Sequence, residues 1–487
     1  MDMGTIELHD LIKQGRISRR DLLRYAALLG LSAGAAEALA ACAPQVTPTA
    51  GMPTYLSGGE AMPTRVWTPA VQGHVSGMDV DAPTPDWTPP PEPTITPPPP
   101  QPLSTATPIM WEPAQWICPQ GDARFDTQEA LVAHVLEKHA RKVPGARRVS
   151  QPTYAQFITG LIERFDQRNH VFSRTVWDKN YQQELTKVVP RTPRESPEQM
   201  LEGMAFVAGS IYTDDAAGSL NPNYRGYSGH LQNTGGMYDW NDPVSANQYP
   251  VSDLAQMSLR IKQVARTFGA DLVGITRLDP RWVYSHYFDR ESGAYGKLDV
   301  PYPFAIVMAI EMDWTEIATS PRFGASAITA HAYSRMGEIS SKLAKYIRTL
   351  GYPAVPSGND STQSIPLAID AGLGELGRLG LLLTPEFGGR QRICKVYTGL
   401  PLVPDQPIDF GMQRYCETCF VCAKNCPAKA IRSEERTTQV TSISNRTGLL
   451  RWPVNVSECY KFWRANGMDC SNCIRACPWS LQNRGWL

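Results

Sequence analysis

Cysteine is the residue type whose spacing carries the clearest chemistry in this 487-residue chain. Eight of the 11 cysteines lie between Cys416 and Cys477. The run Cys416-x2-Cys419-x2-Cys422-x3-Cys426-Pro427 has the spacing with which bacterial ferredoxins bind a 4Fe–4S cluster. A second set comprises Cys459, Cys470, Cys473 and Cys477, the last of which precedes Pro478. A disulfide framework is the alternative in an exported protein, but the repeated Cys-x2-Cys with a trailing Cys-Pro favours two clusters.

The ligands divide between the two clusters by a rule of ferredoxin-like folds, in which the fourth cysteine of each run crosses to the other cluster. One cluster is therefore predicted on Cys416, Cys419, Cys422 and Cys477. The other is predicted on Cys426, Cys459, Cys470 and Cys473. Two clusters form a path for single electrons, so residues 406–487 are predicted to be a ferredoxin-like domain. The residues before it are expected to hold the terminal electron acceptor.

A glycine-rich segment, residues 371–380, precedes this domain and has four glycines in nine residues. Glycine at this density lets the backbone approach a bulky ligand closely. The candidate cofactor-binding residues are Gly372, Gly374, Gly377, Arg378 and Gly380. The spacing is not that of a dinucleotide-binding fingerprint. A tight turn before a strand at Leu381–Thr384 is the competing interpretation.

Hydrophobic periodicity predicts the elements that position these residues. Apolar residues from Leu254 to Phe268 indicate a helix that Gly269 ends, followed by a strand over 271–276. The apolar run from Phe304 to Met312 indicates a buried central strand. A second helix is indicated from Tyr333 to Leu350, and residues 140–250 are predicted to form short helices and long loops.

The N-terminal 113 residues indicate export followed by a spacer. Arg19 and Arg20 precede a short apolar stretch, which is typical of a twin-arginine signal peptide; an amphipathic helix is the alternative. Residues 39–42 resemble a lipobox ending at Cys42, although a plain cleavage site would have the same small residues. The segment 43–113 contains 18 of the 41 prolines, so a disordered, polyproline-like stalk is predicted.

Residues 114–145 resemble a small zinc finger without completing one. Cys118, His134 and His139 are three of the four ligands that a structural zinc ion needs. Gly121 stands where the second cysteine would be. We therefore expect no zinc in this segment.

Charge and hydropathy exclude two classes of protein. Lys and Arg number 47, as do Asp and Glu, so the basic excess expected of a nucleic-acid-binding protein is missing. No uninterrupted apolar run reaches the roughly 18–20 residues of a membrane span.

Residues 150–487 resemble the corrinoid-dependent reductive dehalogenases. The resemblance rests on the signal peptide, the block 269–275, Arg281-Trp282-Val283-Tyr284, the block 307–312, Gly358-Asn359-Asp360, the glycine-rich segment and the doubled cysteine run. It implies an α+β fold, with a nitroreductase-like corrinoid-binding domain at 146–405 and a cobalamin-type corrinoid bound base-off. The stalk and the finger-like segment depart from the usual layout of the family.

The family uses a tyrosine as proton donor beside a basic residue and an asparagine, which by position correspond to Tyr333, Arg392 and Asn359. An adjacent guanidinium would stabilise the phenolate left after proton donation. Rival residues are Lys395 and Arg390 among the basic side chains, and Tyr284 and Tyr287 among the phenols. Without the resemblance, Tyr333 would be interpreted as a core aromatic of its helix.

The resemblance implies an exported oxidoreductase that replaces halogen by hydrogen on a small organohalide, with two electrons and one proton. Its expected place is the outer face of the cytoplasmic membrane, held by a lipid anchor or an anchor subunit and supplied by a respiratory electron donor. Two alternatives remain: an exported iron–sulfur electron-transfer subunit, and an enzyme of the epoxyqueuosine reductase type. Export and zero net charge argue against the second.

Overall fold

The computed structural model describes residues 116–117, 124–125, 130, 145–193, 195–217, 242–290 and 293–480. The predicted signal peptide, lipobox and stalk lie outside the described residues, as do Cys118, His134 and His139. In the part of the chain that the structure describes, no helix combines the length and apolar character needed to cross a membrane.

The described residues form a mixed fold of helices and strands, as the sequence predicted, and the paired strands run antiparallel. The helices are α1 Val171–Trp177, α2 Lys179–Thr186, α3 Pro197–Ala217, α4 Leu254–Thr267, α5 Trp314–Ala318, α6 Phe323–Thr349, α7 Ser364–Asp370, α8 Met412–Thr418, α9 Val421–Lys424, α10 Val456–Asn466 and α11 Asn472–Ala476. The strands are β1 Trp116–Ile117, β2 Arg124–Phe125, β3 Arg147–Arg148, β4 Leu272–Arg277, β5 His286–Phe288, β6 Tyr295–Lys297, β7 Phe304–Glu311, β8 Ala354–Ser357, β9 Glu375–Leu376, β10 Leu382–Leu383, β11 Gln391–Thr398 and β12 Ile408–Asp409.

A four-stranded antiparallel sheet of order β4-β7-β11-β8 organises the fold. Strand β7 pairs on both sides, which confirms the predicted buried central strand. Its side chains alternate between the two faces of the sheet. Ile306, Met308 and Ile310 pack with α4 and α6 on one face. Ala305, Val307 and Ala309 pack with α7 on the other.

Strand β11 connects the two faces, because its successive side chains point to opposite sides. Cys394 and Val396 lie in the core shared with α4 and α6, whereas Ile393 and Tyr397 lie in the core shared with α7. Arg392 is paired with Ile310 of β7, and Lys395 with Ser357 of β8.

The predicted helices are present, with one difference in length. Helix α4 begins after Asp253, whose carboxylate accepts a hydrogen bond of 3.0 Å from the backbone N–H of Gln256. Gly269, with φ of 111°, follows its end. Helix α6 begins ten residues before Tyr333, at Phe323. The extension is apolar and small, so it packs against α5 and α3.

The cysteine-rich region continues the core that lies on the α4 and α6 face of the sheet. Cys416, Cys422, Cys426 and Cys477 are buried in that core together with Leu379 of the glycine-rich segment and Leu383 of β10. Helices α8 to α11 are short and carry four of the eight cysteines, Cys416, Cys422, Cys459 and Cys473. The cysteine-rich region and the α4 and α6 side of the sheet therefore belong to one hydrophobic core.

Candidate functional site

A cavity of about 3040 Å³ opens beside α6 and the start of β11. Ligand pockets for small molecules typically measure about 300–1,000 Å³, so this cavity has room for a bulky ligand. Residues from α6, β11, the loop after β8 and the segment 444–474 line it. All three predicted catalytic residues are among the lining side chains.

Tyr333, Asn359 and Arg392 meet at the wall of this cavity. The side-chain amide of Asn359 donates a hydrogen bond of 2.6 Å to the phenol oxygen of Tyr333. The guanidinium carbon of Arg392 lies 5.2 Å from the centroid of the Tyr333 ring. Arg392 also donates to the hydroxyl of Thr329 at 3.4 Å, one helical turn before Tyr333. The structure thus places a phenol, an amide and a fixed positive charge in contact.

The loop that carries Asn359 is fixed from beneath by β11. The buried ammonium of Lys395 donates to the carbonyl of Gly358, and to the hydroxyl of Ser364 at 2.9 Å. Burial lowers the pKa of Lys395 to about 8, while the charge of Asp360 acts in the opposite direction. The ammonium therefore supports the loop rather than Tyr333.

Tyr397 holds the same loop through two hydroxyl contacts. Its phenol oxygen lies 2.8 Å from the hydroxyl oxygens of Ser361 and Thr362. Ser361 has a φ of 59°, a left-handed conformation that is unusual for a residue other than glycine. These contacts fix a backbone bend that presents Asn359 to the cavity.

The other rival residues of the sequence analysis lie elsewhere. Arg390 is buried and donates to the carboxylate of Glu311 at 2.9 Å and to the carbonyl of Met312 at 2.6 Å. Tyr284 lines the cavity, where burial raises its pKa. Tyr287 packs in the core on the α7 side of the sheet.

Asp469 and Ser326 also line the large cavity, and the sequence analysis did not indicate either of them. The carboxylate of Asp469 accepts a hydrogen bond from the hydroxyl of Ser326. Burial raises the pKa of Asp469, while this hydrogen bond and the charge of Arg392 act in the opposite direction. Asp469 precedes Cys470 by one residue, and its sequence neighbourhood has no pattern that would have predicted this position.

The glycines of the glycine-rich segment lie close to other parts of the chain, two of them against backbone and two against side chains. A Cβ at Gly372 would lie 2.4 Å from the carbonyl oxygen of Gln406, and one at Gly374 would lie 2.1 Å from that of Leu383. At Gly377 the nearest atom would be a side-chain methyl of Leu383, at 2.4 Å. Gly380 lines the large cavity, whereas the other three are not among its lining residues. The predicted cofactor-binding role of the segment stays a prediction.

Arg378 lies against the first cysteine run, not against the large cavity. Its guanidinium donates to the carbonyl of Cys416 at 2.7 and 3.0 Å and to the carbonyls of Arg432 and Glu434. Its backbone N–H donates to the Sγ of Cys416 at 3.4 Å. Arg378 thereby ties the glycine-rich segment to the run of cysteines.

The first predicted set of cysteines surrounds one small cavity. Cys416, Cys419, Cys422 and Cys477 all line it. Burial raises the pKa of the Cys477 thiol, and the neighbouring Cys416 and Cys419 raise it further. Cys422 and Cys477 are thus neighbours in space although they are far apart in the sequence.

The second predicted set also lies together. Burial raises the pKa of Cys473 well above its ordinary value, and Cys470, Cys459 and Cys426 raise it further. The Sγ of Cys426 accepts a hydrogen bond of 3.3 Å from the backbone N–H of Ala430. Cys459 is the member of this set that lines the large cavity. Within the described residues, no group of three or more His, Cys, Asp or Glu side chains is placed so as to hold a single metal ion.

The sequence of this chain is similar to those of known reductive dehalogenases. The chain is 34% identical over 325 residues to a tetrachloroethene reductive dehalogenase of Sulfurospirillum multivorans, which covers 60% of this chain and 64% of the relative. It is 35% identical over 292 residues to a tetrachloroethene reductive dehalogenase of Desulfitobacterium hafniense, which covers 50% and 53%, respectively. The chain therefore spans between about half and two thirds of the length of these curated relatives. No protein-family model matches it.

A solved structure has a fold similar to that of this chain. A reductive dehalogenase for which a mechanism of B12-dependent dehalogenation was suggested has a TM-score of 0.50 at 24% identity, over 69% of this chain and 44% of that one. The resemblance inferred from the sequence is thus confirmed: the chain is a homologue of the reductive dehalogenases.

Proposed function

We propose that this homologue of the reductive dehalogenases replaces a halogen on an organic substrate by hydrogen. The reaction takes up two electrons and one proton and releases a halide ion. The observation that carries the proposal is the contact of Tyr333 with Asn359 and Arg392 at the wall of a cavity large enough for a cofactor and a substrate together.

The large cavity is the proposed site of a cobalamin-type corrinoid, bound base-off within a nitroreductase-like domain at 146–405. Its volume of about 3040 Å³ and its lining from both the sheet and the cysteine-rich region fit a ligand of that size. When bound, the corrinoid supplies the reducing chemistry at the carbon–halogen bond. The glycine-rich segment would meet it at Gly380, the glycine of that segment that lines the cavity.

Residues 406–487 are proposed to hold two 4Fe–4S clusters in a ferredoxin-like arrangement. A single metal ion needs its sulfur ligands within bonding distance of one point, about 2.3 Å for zinc. A 4Fe–4S cluster is bound through four separate irons, so its thiolates stand further apart. The shared cavity of Cys416, Cys419, Cys422 and Cys477 supports one such site. Cys426, Cys459 and Cys470 lie close enough to Cys473 to raise the pKa of its thiol, which supports the second cluster site.

Tyr333 is the proposed proton donor. Because the Asn359 amide donates to the phenol oxygen, the phenol keeps its own hydrogen for a bond into the cavity. The guanidinium of Arg392, a cation, stabilises the negative charge that remains on the phenolate. The loop contacts of Lys395 and Tyr397 hold Asn359 in this position.

The chain is further proposed to be exported by the twin-arginine route and to act at the outer face of the cytoplasmic membrane. A lipid on Cys42 or an anchor subunit would attach it, and a respiratory donor would supply its electrons. The twin-arginine route suits a protein that must acquire its clusters and cofactor before export.

One experiment separates this proposal from its rival, an exported electron-transfer subunit. The purified protein is reconstituted anaerobically with iron, sulfide and cobalamin, and its iron and cobalt are counted. We expect about eight irons, as two 4Fe–4S clusters require, one cobalt, and halide release from a chlorinated or brominated substrate with a reduced viologen as donor. Full iron with no cobalt would refute the dehalogenase proposal and favour the electron carrier.

A further inference from the structure

Arg378 is a buried arginine whose guanidinium binds backbone carbonyls. The residue is 1% exposed. Its Nε and Nη2 donate to the carbonyl of Cys416 at 3.0 and 2.7 Å. Its Nη1 donates to the carbonyls of Arg432 and Glu434 at 3.0 and 2.9 Å. None of these acceptors carries a charge, so within the described part of the chain no carboxylate neutralises this guanidinium by direct contact.

Two aromatic rings cover the guanidinium. Its central carbon lies 4.3 Å from the ring centroid of Trp452 and 4.8 Å from that of Phe420. A charge that is enclosed in this way is screened much less than a charge at the protein surface. The cation of Arg378 therefore acts strongly on the groups beside it.

The first predicted set of cysteines lies beside this charge. The backbone N–H of Arg378 donates to the Sγ of Cys416 at 3.4 Å. Burial lowers the pKa of Arg378, and the acidic groups that act in the opposite direction are Cys416, Cys422, Cys419 and Glu434. The carboxylate of Glu434 is 64% exposed and lies 3.6 Å from the Nε of Arg432, so water and this second cation weaken its effect. The other three groups are predicted ligands of one cluster.

We propose that Arg378 raises the reduction potential of the 4Fe–4S cluster on Cys416, Cys419, Cys422 and Cys477. This inference rests on the proposed function, because it assumes a cluster on these cysteines. Reduction adds one electron to a cluster that its thiolates already make negative, and a cation beside the cluster stabilises the added charge. Net charge and hydrogen bonds to the sulfurs are among the factors that set such potentials. With Arg378 in place, a weaker reductant can therefore reduce this cluster.

The test separates the charge of Arg378 from its hydrogen bonds. Arg378→Lys keeps the charge, whereas Arg378→Gln removes it, and both new side chains can still donate to the surrounding carbonyls. The backbone hydrogen bond to Cys416 is present in both variants. The potentials of the two clusters are measured by redox titration of the reconstituted protein, followed by electron paramagnetic resonance.

Arg475→Gln is the matched control. The guanidinium of Arg475 also donates to backbone carbonyls, those of Ala318 at 3.1 Å and Ser320 at 2.8 Å. The cysteine on which its charge acts is Cys470, which belongs to the second predicted set. Removing this charge should therefore leave the first cluster unchanged.

We expect Arg378→Gln to lower the ratio of reduced to oxidised first cluster at least tenfold at a fixed potential. For a one-electron couple this is a shift of about 59 mV or more towards negative potential. Arg378→Lys and Arg475→Gln should keep the ratio within threefold of the wild-type value. Neither Arg378 variant should shift the second cluster by more than threefold.

Equal shifts in Arg378→Lys and Arg378→Gln, or a shift of both clusters, would overturn the inference and assign Arg378 a purely structural role. An Arg378→Gln protein that holds only about four irons, the number in one cluster, would overturn it as well and assign Arg378 a role in cluster assembly. A wild-type protein without two cluster signals would refute the proposed clusters and this inference with them. Full iron without cobalt would refute the dehalogenase proposal alone, because the potentials are measured without a corrinoid or a halogenated substrate.

Discussion

The side-chain amide of Asn359 donates a hydrogen bond of 2.6 Å to the phenol oxygen of Tyr333. The two residues belong to different elements, since Tyr333 lies on α6 and Asn359 follows β8. The direction of this bond matters for proton transfer, because the phenol oxygen accepts and its hydrogen remains available. A donor built in this way gives up its proton to the cavity while the amide and Arg392 stabilise the oxygen that is left.

Replacing Tyr333 by phenylalanine removes the proposed proton donor without changing the size of the side chain. General acid catalysis contributes about 10²–10⁴-fold, so Tyr333→Phe should lower kcat by that factor. Halide release with a reduced viologen measures the loss, and iron and cobalt contents should equal those of the wild-type protein. Tyr346→Phe removes another phenol of α6, one that packs against the core, and should keep full activity. Unchanged turnover in Tyr333→Phe would transfer the donor role to another group.

Asn359→Ala tests the amide. A neutral hydrogen bond contributes about 0.5–1.5 kcal/mol, so we expect kcat to fall by about tenfold or less with little change in KM. The double variant with Tyr333→Phe should be no slower than Tyr333→Phe alone, because both residues act on one proton transfer. Additive losses in the double variant would contradict a shared role.

The sequence predicted the sheet and its helices better than the site. Strands β4 and β7 and helix α4 have strong apolar patterns, and all three are present. Helix α3 was missed because its sequence, Pro197–Ala217, is apolar on most of its surface and has no clear helical period. Its packing along α6 is a tertiary effect that no local pattern records.

The candidate site was predictable only where a motif or a family resemblance covered it. The crossover rule of ferredoxin-like folds grouped Cys477 with Cys416, and the structure places both at one small cavity. Tyr333 and Arg392 came from the resemblance. Asp469 could not be predicted, since its position depends on how the chain around it folds back towards Ser326 of α6, and it stands in no recognisable motif.

The division of the cysteines can be tested by electron paramagnetic resonance of the reduced protein. Cys416→Ser and Cys477→Ser should alter the same one of two cluster signals and lower the iron content from about eight to about four, the number in one cluster. Cys459→Ser should alter the other signal. Cys394→Ser is the control, because this thiol is buried in the core, where burial raises its pKa to about 12. Cys416→Ser and Cys477→Ser variants that alter different signals would show that Cys477 does not cross over.

The proposed membrane attachment would depend on Cys42, which lies outside the described part of the chain. Cys42→Ala removes the only side chain of the proposed lipobox that could carry a lipid. If a lipid attaches the protein, this variant should move from the membrane fraction to the soluble fraction in a fractionation experiment, while its halide release stays unchanged. Membrane association equal to that of the wild-type protein would favour an anchor subunit.

Because Lys395 is buried, we expect the free energy of unfolding to depend on pH in an unusual way. Burial lowers the pKa of its ammonium to about 8 in the folded protein, whereas a lysine of the unfolded chain titrates near 10.4. Between these values the unfolded state binds one more proton than the folded state, so the free energy of unfolding rises with pH. The contribution of Lys395 should increase by on the order of 3 kcal/mol from about pH 7 to about pH 10.5.

Denaturant unfolding of the wild-type protein and of Lys395→Met over this range measures the effect. Lys395→Met removes the titrating group, so the wild-type protein should gain stability relative to the variant as the pH rises. The neighbouring Asp360 and the Cys394 thiol are unchanged in the variant, and their titrations therefore cancel in the difference except where they are coupled to the ammonium. Two proteins with parallel pH profiles would show that Lys395 titrates in the folded state as it does in water, and that it is not held as a buried ammonium beneath the Asn359 loop.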